Sequence, residues 1–348
     1  MTIDINLKKN VDDSYKIYIG DLGKLKFDSK TAIVTNDTVA DLYLDELRSL
    51  ISAPQVGEVI IKDGEQYKNL DTIAEIVDRL CELRLDRQST LIAFGGGVIG
   101  DMTGFCAAIY QRGISFVQIP TTLLAMVDAS VGGKTGVNNV CGKNMIGSFN
   151  QPKSVRIDTK WLKTLPKREF SAGVAEIVKM AATLDSDFFA RLESANLNNE
   201  TELTEAIAQS IRIKADIVMQ DEKESGARAV LNYGHTFGHA IEKESGYGAY
   251  LHGECVAMGM IMANNLAVSL GALTQNEADR IDKTLRKFGL TARYKTPSAE
   301  NFYASFFLDK KTLADRIYFA LPRGIGSYVF VNDAPKNLVI DAIIKGGE

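Results

Sequence analysis

Four short apolar runs near the start of the chain, separated by stretches of helix length, constrain the fold more than any other feature. The runs are Thr31–Thr35, Glu58–Ile61, Ser89–Phe94 and Ile114–Ile119, the last stopping at Pro120. Between them, Val39–Ile51, Leu70–Leu83 and a segment running from the glycines at 95–97 to Tyr110 carry helical apolar spacing. Strands that alternate with helices predict a parallel sheet covered on both faces. Beyond about residue 160 the strand signal fades. Glu169–Leu184, Glu202–Met219, Ala227–Glu244, Val256–Leu270 and Asn276–Phe288 suit helices, and only Arg316–Leu321 looks like a late strand. The expected plan is an α/β domain over 1–155 and a mostly helical domain over 156–348, with a site in the cleft between them.

Composition narrows the function classes. A net charge of -4 and the lack of a Lys/Arg-rich run give no reason to expect nucleic acid. No apolar run approaches the roughly 20 residues that span a bilayer. The opening MTIDINLKKNVDD lacks the cationic and apolar regions of a signal peptide, so a cytoplasmic location is expected. The four cysteines, Cys81, Cys106, Cys141 and Cys255, form no C-x-x-C pair. Each sits in or beside an apolar stretch, which predicts buried free thiols.

Chemistry-bearing residues gather in a few places. Gly95-Gly96-Gly97-Val98-Ile99-Gly100 matches G-x-G-x-x-G between a strand and a helix, where glycine lets the backbone approach a pyrophosphate. It is not the first strand–helix unit, and no acidic residue follows about 20 positions on, so it departs from the usual dinucleotide fingerprint. A second polar turn, Asp63 to Lys68, follows the preceding strand and falls on the same sheet edge. The glycine-rich Val131–Gly136 segment carries Lys134 but lacks the spacing of a Walker motif.

All three histidines, His235, His239 and His252, fall within eighteen residues. Arg228, Asn232, His235, His239 and Glu242 recur at steps of four, three, four and three, which places them on one face if Ala227–Glu244 is a single helix. A solvated face would more typically carry Lys and Glu. Spacing alone pairs His235 with His239 around a metal, and His252 is an equal alternative partner. Glu176 and Lys179 interrupt the small, apolar run Gly173–Ala182. Buried charge is costly unless paired or metal-bound, so Glu176 is a credible third ligand beside two imidazoles, and a surface ion pair is the plainer reading.

Taken in order, Gly95–Asp101, Gly104-Phe105, Arg112-Gly113, Pro120–Ala125, Asp128–Gly136, Gly142-Lys143-Asn144, Glu176–Lys179, Leu231–Glu242, Leu251–Glu254 and Asp309-Lys310-Lys311 resemble the 3-dehydroquinate synthases. The resemblance implies a dehydroquinate synthase-like fold, a Rossmann-like parallel-sheet domain followed by a mostly α-helical one. It implies a divalent metal, zinc or cobalt, on Glu176, His235 and His252. It implies NAD on Asp63, Gly64, Glu65, Gln66, Tyr67 and Lys68, on Gly97, Val98, Ile99, Gly100 and Asp101, on Thr121, Thr122, Lys134 and Lys143, and on Trp161, Leu162, Lys163 and Thr164. Substrate groups would meet Asp128, Lys134, Asn144, Lys179, Lys214, Arg228, Asn232, His239 and Lys310, the motif leaving open whether Lys310 or Lys311 points inward. Arg112 matches an arginine that reaches the neighbouring subunit's site, so a homodimer is implied. Trp161 stands where other aromatic residues are usual.

The activity implied is conversion of 3-deoxy-D-arabino-heptulosonate 7-phosphate to 3-dehydroquinate and phosphate in the shikimate pathway. Transient oxidation by NAD, elimination of phosphate, re-reduction and an internal aldol closure would follow one another with no net redox change. Three rivals share parts of the pattern. A polyol dehydrogenase such as a glycerol dehydrogenase would accumulate NADH, and the lysines of the cleft argue against its neutral substrate. A sister sugar-phosphate cyclase would share nearly every motif. A non-catalytic NAD-sensing module would leave the metal cluster without a purpose.

Overall fold

A computed structural model of the chain describes residues 12–224, 226–246, 248–308 and 317–348. The expected Lys310 and Lys311, and Arg316 of the late strand, lie outside the described residues.

The α/β half contains strands β1 (Lys16–Ile19), β2 (Leu25–Lys26), β3 (Thr31–Asn36), β4 (Ile51–Ser52), β5 (Val56–Ile61), β6 (Thr90–Gly95), β7 (Ser115–Pro120), β8 (Lys134–Asn139), β9 (Gly142–Phe149) and β10 (Ser154–Ile157). Helices α1 (Asp37–Leu50), α2 (Leu70–Glu82) and α3 (Gly97–Ile109) connect them. Six strands form one parallel sheet in the order β1-β10-β7-β6-β3-β5. Strands β3 and β6 are buried on both faces, which is why they read as unbroken apolar runs. From β3 the chain steps outward to β5, then returns past β3 to β6. The strand order therefore reverses between β3 and β6, and a ligand crevice belongs at their carboxyl ends.

The expected alternation is present, but β1, β10 and the β8–β9 hairpin were not foreseen. The hairpin strands are polar and glycine-rich and lack alternation. Gly136 pairs with Gly147 across them, and a Cβ on either would run into the opposite backbone. Sequence between the hairpin and α3 is matched in the same way. A Cβ on Gly104 would meet Thr135 and lie 3.1 Å from Phe116 Cζ.

The second half contains α4 (Lys167–Leu184), α5 (Ser186–Ser194), α6 (Glu200–Gln220), α7 (His235–Ser245), α8 (His252–Ser269), α9 (Gln275–Lys287), α10 (Ala299–Ser305) and α11 (Lys336–Gly346). A small antiparallel pair, β11 (Phe319–Pro322) with β12 (Tyr328–Val331), completes it. One hydrophobic core runs from beneath the sheet (Ile33, Phe94, Ile119) through α4, α6 and α8, and a smaller one fills the sheet's other face under α2 and α3. Helix α8 is apolar on nearly every side, as a helix at the centre of a bundle must be.

Two expectations need correction. Ala227–Glu244 is not one helix: a 3-10 turn covers Ala227–Asn232, Gly234 takes φ +78°, and α7 starts afresh at His235. Gly234 lies against the backbone of α8, where a Cβ would sit 2.8 Å from the Val256 carbonyl oxygen. The single polar face across Arg228, Asn232 and the histidines therefore does not exist as a helix face. Of the four free cysteines, Cys106 and Cys255 are buried as expected, while Cys81 and Cys141 are exposed. Cys81 ends α2 on its outer side, and Cys141 sits at the hairpin tip. No described helix is long and apolar enough to cross a membrane.

Candidate active site

The carboxyl edge of the sheet assembles the glycine turn and the polar turn. Helix α3 begins at Gly97 with no side-chain cap on its first N–H groups, the arrangement that suits an anion. Gly100 packs helix to strand: a Cβ there would approach Gln118 Oε1 to 2.8 Å. Thr122 closes the turn from the next strand, its methyl 3.1 Å from where a Gly96 Cβ would be. Thr121 donates its N–H to the Gly95 carbonyl at 3.0 Å. On the other side of the switch point Asn36 does two jobs that sequence reading missed. It caps α1 by accepting from the Val39 N–H, and its Nδ2 donates to Asp63 Oδ1 at 2.6 Å.

Lys68 is buried and donates to Asp101 Oδ2 and Asn144 Oδ1, both at 2.6 Å. Burial disfavours its charge, but Asp101 and Glu65 outweigh that and hold the amine above its ordinary range. Asn144 adopts φ +52° and receives support from Asn138, whose own N–H donates to the Lys68 carbonyl. Glu65, Lys68, Asp101, Asn138 and Asn144 are thus one hydrogen-bonded patch. Trp161 and Leu162 lie in the core, Trp161 edge-on to Phe94 and Tyr43, while Lys163 and Thr164 face outward. Ile99 is likewise a core side chain, so its backbone alone can face a ligand.

The helical half contributes charge taken out of water. Glu176 on α4 is 0% exposed, and neither of its oxygens has a well-formed hydrogen bond among the described residues. The Lys179 ammonium lies against Oε2. Oε1 faces His235 Nε2 and His252 Nε2, each at 3.7 Å. Both rings are turned so that Nδ1 is engaged elsewhere: His235 Nδ1 with the Tyr233 carbonyl at 3.2 Å and His252 Nδ1 with Glu242 Oε1 at 3.1 Å. In an unbroken helix the Tyr233 carbonyl would serve residue 237, so the break at Gly234 is what makes it available. An imidazole fixed through Nδ1 presents Nε2 as a ligand.

Among the described residues two groups of potential ligands lie close enough to share an ion, Glu176–His235–His252 and His239–Glu242–His252. The chemistry of the first fits a divalent metal better. Its carboxylate oxygen Oε1 is buried without a hydrogen bond, whereas Glu242 Oε1 already accepts from His252 and from Lys143 Nζ at 3.1 Å. Burial opposes ionisation of Glu242, yet His252 and Lys143 pull its carboxyl down to about 2. His239 stands beside the cluster, its ring centroid 5.5 Å from that of His235.

Next to this cluster a π-helical turn, Ala125–Ala129, carries Asp128. Lys214 on α6 donates to the Asp128 carbonyl at 2.5 Å and to its Oδ1 at 2.6 Å. Burial, aided by the nearby Lys179 and Arg228, drags the Lys214 amine below its ordinary value despite Asp128. Arg228 is buried too, donating to the carbonyls of Gly132 and Glu222. Glu224 is a site residue with no signature in the sequence: its carboxylate accepts from Asn232 Nδ2 at 2.8 Å and contacts Lys134. Arg112 is not brought in. It is exposed beyond the far end of α3, roughly 20 Å along the helix from the glycine turn.

Comparison with known proteins identifies the family. The family model described as 3-dehydroquinate synthase N-terminal matches residues 58–172, and that described as 3-dehydroquinate synthase C-terminal matches 173–312. A 3-dehydroquinate synthase of a Sulfurovum species is 55% identical over 345 residues, 99% of each chain. That of Sulfurimonas denitrificans is 52% identical over 348 residues, 100% of each. Among solved structures, the 2-epi-5-epi-valiolone synthase ValA of Streptomyces hygroscopicus subsp. jinggangensis, with NAD+ and Zn2+ bound, superposes with a TM-score of 0.88 at 28% identity over 99% of both chains. A 2-deoxy-scyllo-inosose synthase complexed with carbaglucose-6-phosphate, NAD+ and Co2+ gives 0.82 at 27% over 92% and 91%. A probable glycerol dehydrogenase of Sinorhizobium meliloti shares the fold alone, at 15% identity and a TM-score of 0.58.

Proposed function

The chain belongs to the 3-dehydroquinate synthase family, and from that premise we propose that it closes 3-deoxy-D-arabino-heptulosonate 7-phosphate to 3-dehydroquinate with release of phosphate. The observation that carries the reading is Glu176 Oε1, buried without a hydrogen bond among the described residues and facing two imidazole nitrogens, with the buried cations Lys179, Lys214 and Arg228 nearby. A dehydrogenase of neutral polyols has no use for so many cations. A substrate anionic at both ends does.

In this reading Glu176, His235 and His252 would hold a divalent ion, and residues 63–68, the α3 N-terminus, Thr121, Thr122 and Lys143 would hold NAD. Bound there, metal and NAD supply a lowered hydroxyl pKa and a hydride acceptor that is later returned to its starting state. The chain's own residues do the rest. Burial, aided by Lys179 and Arg228, lowers the Lys214 amine, and an arriving anion favours its charged form, so Lys179, Lys214 and Arg228 bind the anionic groups of the substrate. Lys134 and Asn232, which meet through Glu224, and Asn144 on the hairpin add polar groups for the substrate. His239, beside the cluster, is placed to take or give a proton on a substrate hydroxyl. Arg112, remote from this site, serves a second copy of the chain in a homodimer. NAD is assigned mainly to 1–155 and the metal to 156–348, with substrate groups drawn from both. Lys310 completes the substrate groups from outside the described residues.

The reading is tested by supplying protein, NAD and divalent metal with the heptulosonate phosphate and following free phosphate beside nicotinamide absorbance. Phosphate released in proportion to substrate with no lasting NADH is expected. NADH that accumulates without phosphate would make this a dehydrogenase. Folded, metal-loaded protein that releases no phosphate from this substrate would point to a sister cyclase, as the likeness to ValA allows.

A further inference from the structure

Glu242 is a side chain on which the two halves of the site converge. It lies on α7, and its Oε1 accepts from His252 Nδ1 on α8 and from Lys143 Nζ on the β9 strand of the hairpin, each at 3.1 Å. Glu242 is 5% exposed, so these two donors are not exchanged casually for water. The first belongs to the candidate metal set and the second to the candidate dinucleotide set. Sequence reading placed Glu242 beside the histidines without giving it a task.

We propose that Glu242 is a positioning residue that couples divalent-metal binding at His252 to dinucleotide binding at Lys143. The inference rests on the ligand assignments proposed above. A carboxylate behind a metal-binding imidazole fixes the ring and makes Nε2 a better donor to the ion. Here the same oxygen also faces an ammonium, which competes for its charge. A dinucleotide phosphate that draws the Lys143 head group toward itself removes the competitor, and Glu242 then serves His252 alone. Conversely, an ion on His252 Nε2 strengthens the Nδ1 donor, weakens the hold on Lys143 and leaves that lysine readier for phosphate. Metal and NAD therefore bind with positive cooperativity, by the same factor in both directions.

The test is equilibrium binding to the full, metal-free chain. Co2+ is titrated against a competing chelator with and without saturating NAD, and NAD is titrated by the fluorescence of Trp161 with and without Co2+. Saturating NAD should tighten Co2+ by about 5-fold or more, and Co2+ should tighten NAD equally. Lys143→Met should bind Co2+ more tightly than wild type when NAD is absent, and NAD should no longer change that affinity. Glu242→Gln should weaken Co2+ by about 10- to 100-fold and lose the coupling. Equal Co2+ affinity with and without NAD in the wild type would overturn the proposal, as would cooperativity that survives in Lys143→Met. Glu176→Gln separates this failure from failure of the ligand assignment. If Co2+ binds equally well to Glu176→Gln, the assignment itself is wrong and the coupling falls with it.

Discussion

The two halves of the site use opposite means. At the sheet edge the candidate ligand groups are largely backbone: the uncapped start of α3, the turn at Gly96–Gly97, and the Thr121–Thr122 crossover, backed by glycines that bring helix, strand and hairpin together. In the helical half they are ionisable side chains removed from water: Glu176 and Lys179, paired along α4, and Lys214 and Arg228, each anchored by another element. A site made of backbone tolerates exchange of side chains and fails when a side chain is added. A site made of buried charge fails when a single atom changes.

The largest effect is expected where that contrast is sharpest. Glu176→Gln keeps the shape and removes the anion, so metal content should fall to background by elemental analysis. Turnover should drop by about a thousandfold or more, since a metal contributes several kcal/mol to such a transition state. A Gln variant that keeps metal and turnover would erase the distinction between the halves.

Next comes Asp128→Asn, which leaves Lys214 buried without its counter-charge and should cost about 3 kcal/mol at neutral pH by denaturant titration. Burial raises the Asp128 carboxyl, but Lys214 and Lys179 outweigh it and hold it below its ordinary value. A group depressed on folding stabilises above its unfolded pKa of about 3.9 and loses that contribution as pH falls through the folded value. The gap between wild type and Asp128→Asn should therefore be constant from pH 5 to 8 and close in more acid solution. A gap that persists at low pH would mean that charge is not what Asp128 contributes.

Gly104→Ala probes the other half by adding one carbon. In an ordinary helix the change gains up to about 1 kcal/mol. Here the new Cβ meets Thr135, whose hydroxyl is committed to the Ser148 carbonyl at 2.8 Å, so the hairpin must move. A net loss of about 1–2 kcal/mol is expected, with weaker NAD binding, because Lys134, Lys143 and Asn144 ride on that hairpin. A stabilised variant would show that the packing there is slack. Smallest should be Trp161→Phe. Trp161 Nε1 is buried without a partner among the described residues, so losing it offsets part of the lost packing. A change of about 1 kcal/mol or less, with unaltered NAD affinity, is expected, and a large loss of NAD affinity would put the indole itself at the cofactor.

The same contrast explains what could be read from sequence. The parallel sheet was legible because β3 and β6 are buried on both faces and Gly96 and Gly97 follow β6 directly. The β8–β9 hairpin was not, because its strands are specified by close contact with α3 and with each other rather than by alternation. Buried charge betrayed itself at Glu176 and Lys179, polar residues within an apolar run. Which imidazoles join Glu176 was a different matter. Helical spacing assumed one helix through Asn232 and His235, and the break at Gly234 is imposed by a second helix about twenty residues on. Family resemblance supplied the pairing that periodicity alone left open. Glu224 and Asn36 act through partners distant in sequence or through a cap, and neither stands out by composition.

The glycines between α4, α7 and α8 have a consequence for how such a protein can change over time. Gly253 lies against the Ala172 carbonyl, Gly259 against that of Gly234, and Gly238 close to that of Cys255, so these helices meet backbone to backbone. The separation of Glu176, His235 and His252 is then set by main-chain contact and not by the volume of the side chains around it. Methionines and alanines elsewhere on α8 are free to drift in size without retuning the ligand spacing. The glycines act as fixed stops, and mutational freedom in the surrounding core is bounded by stability alone.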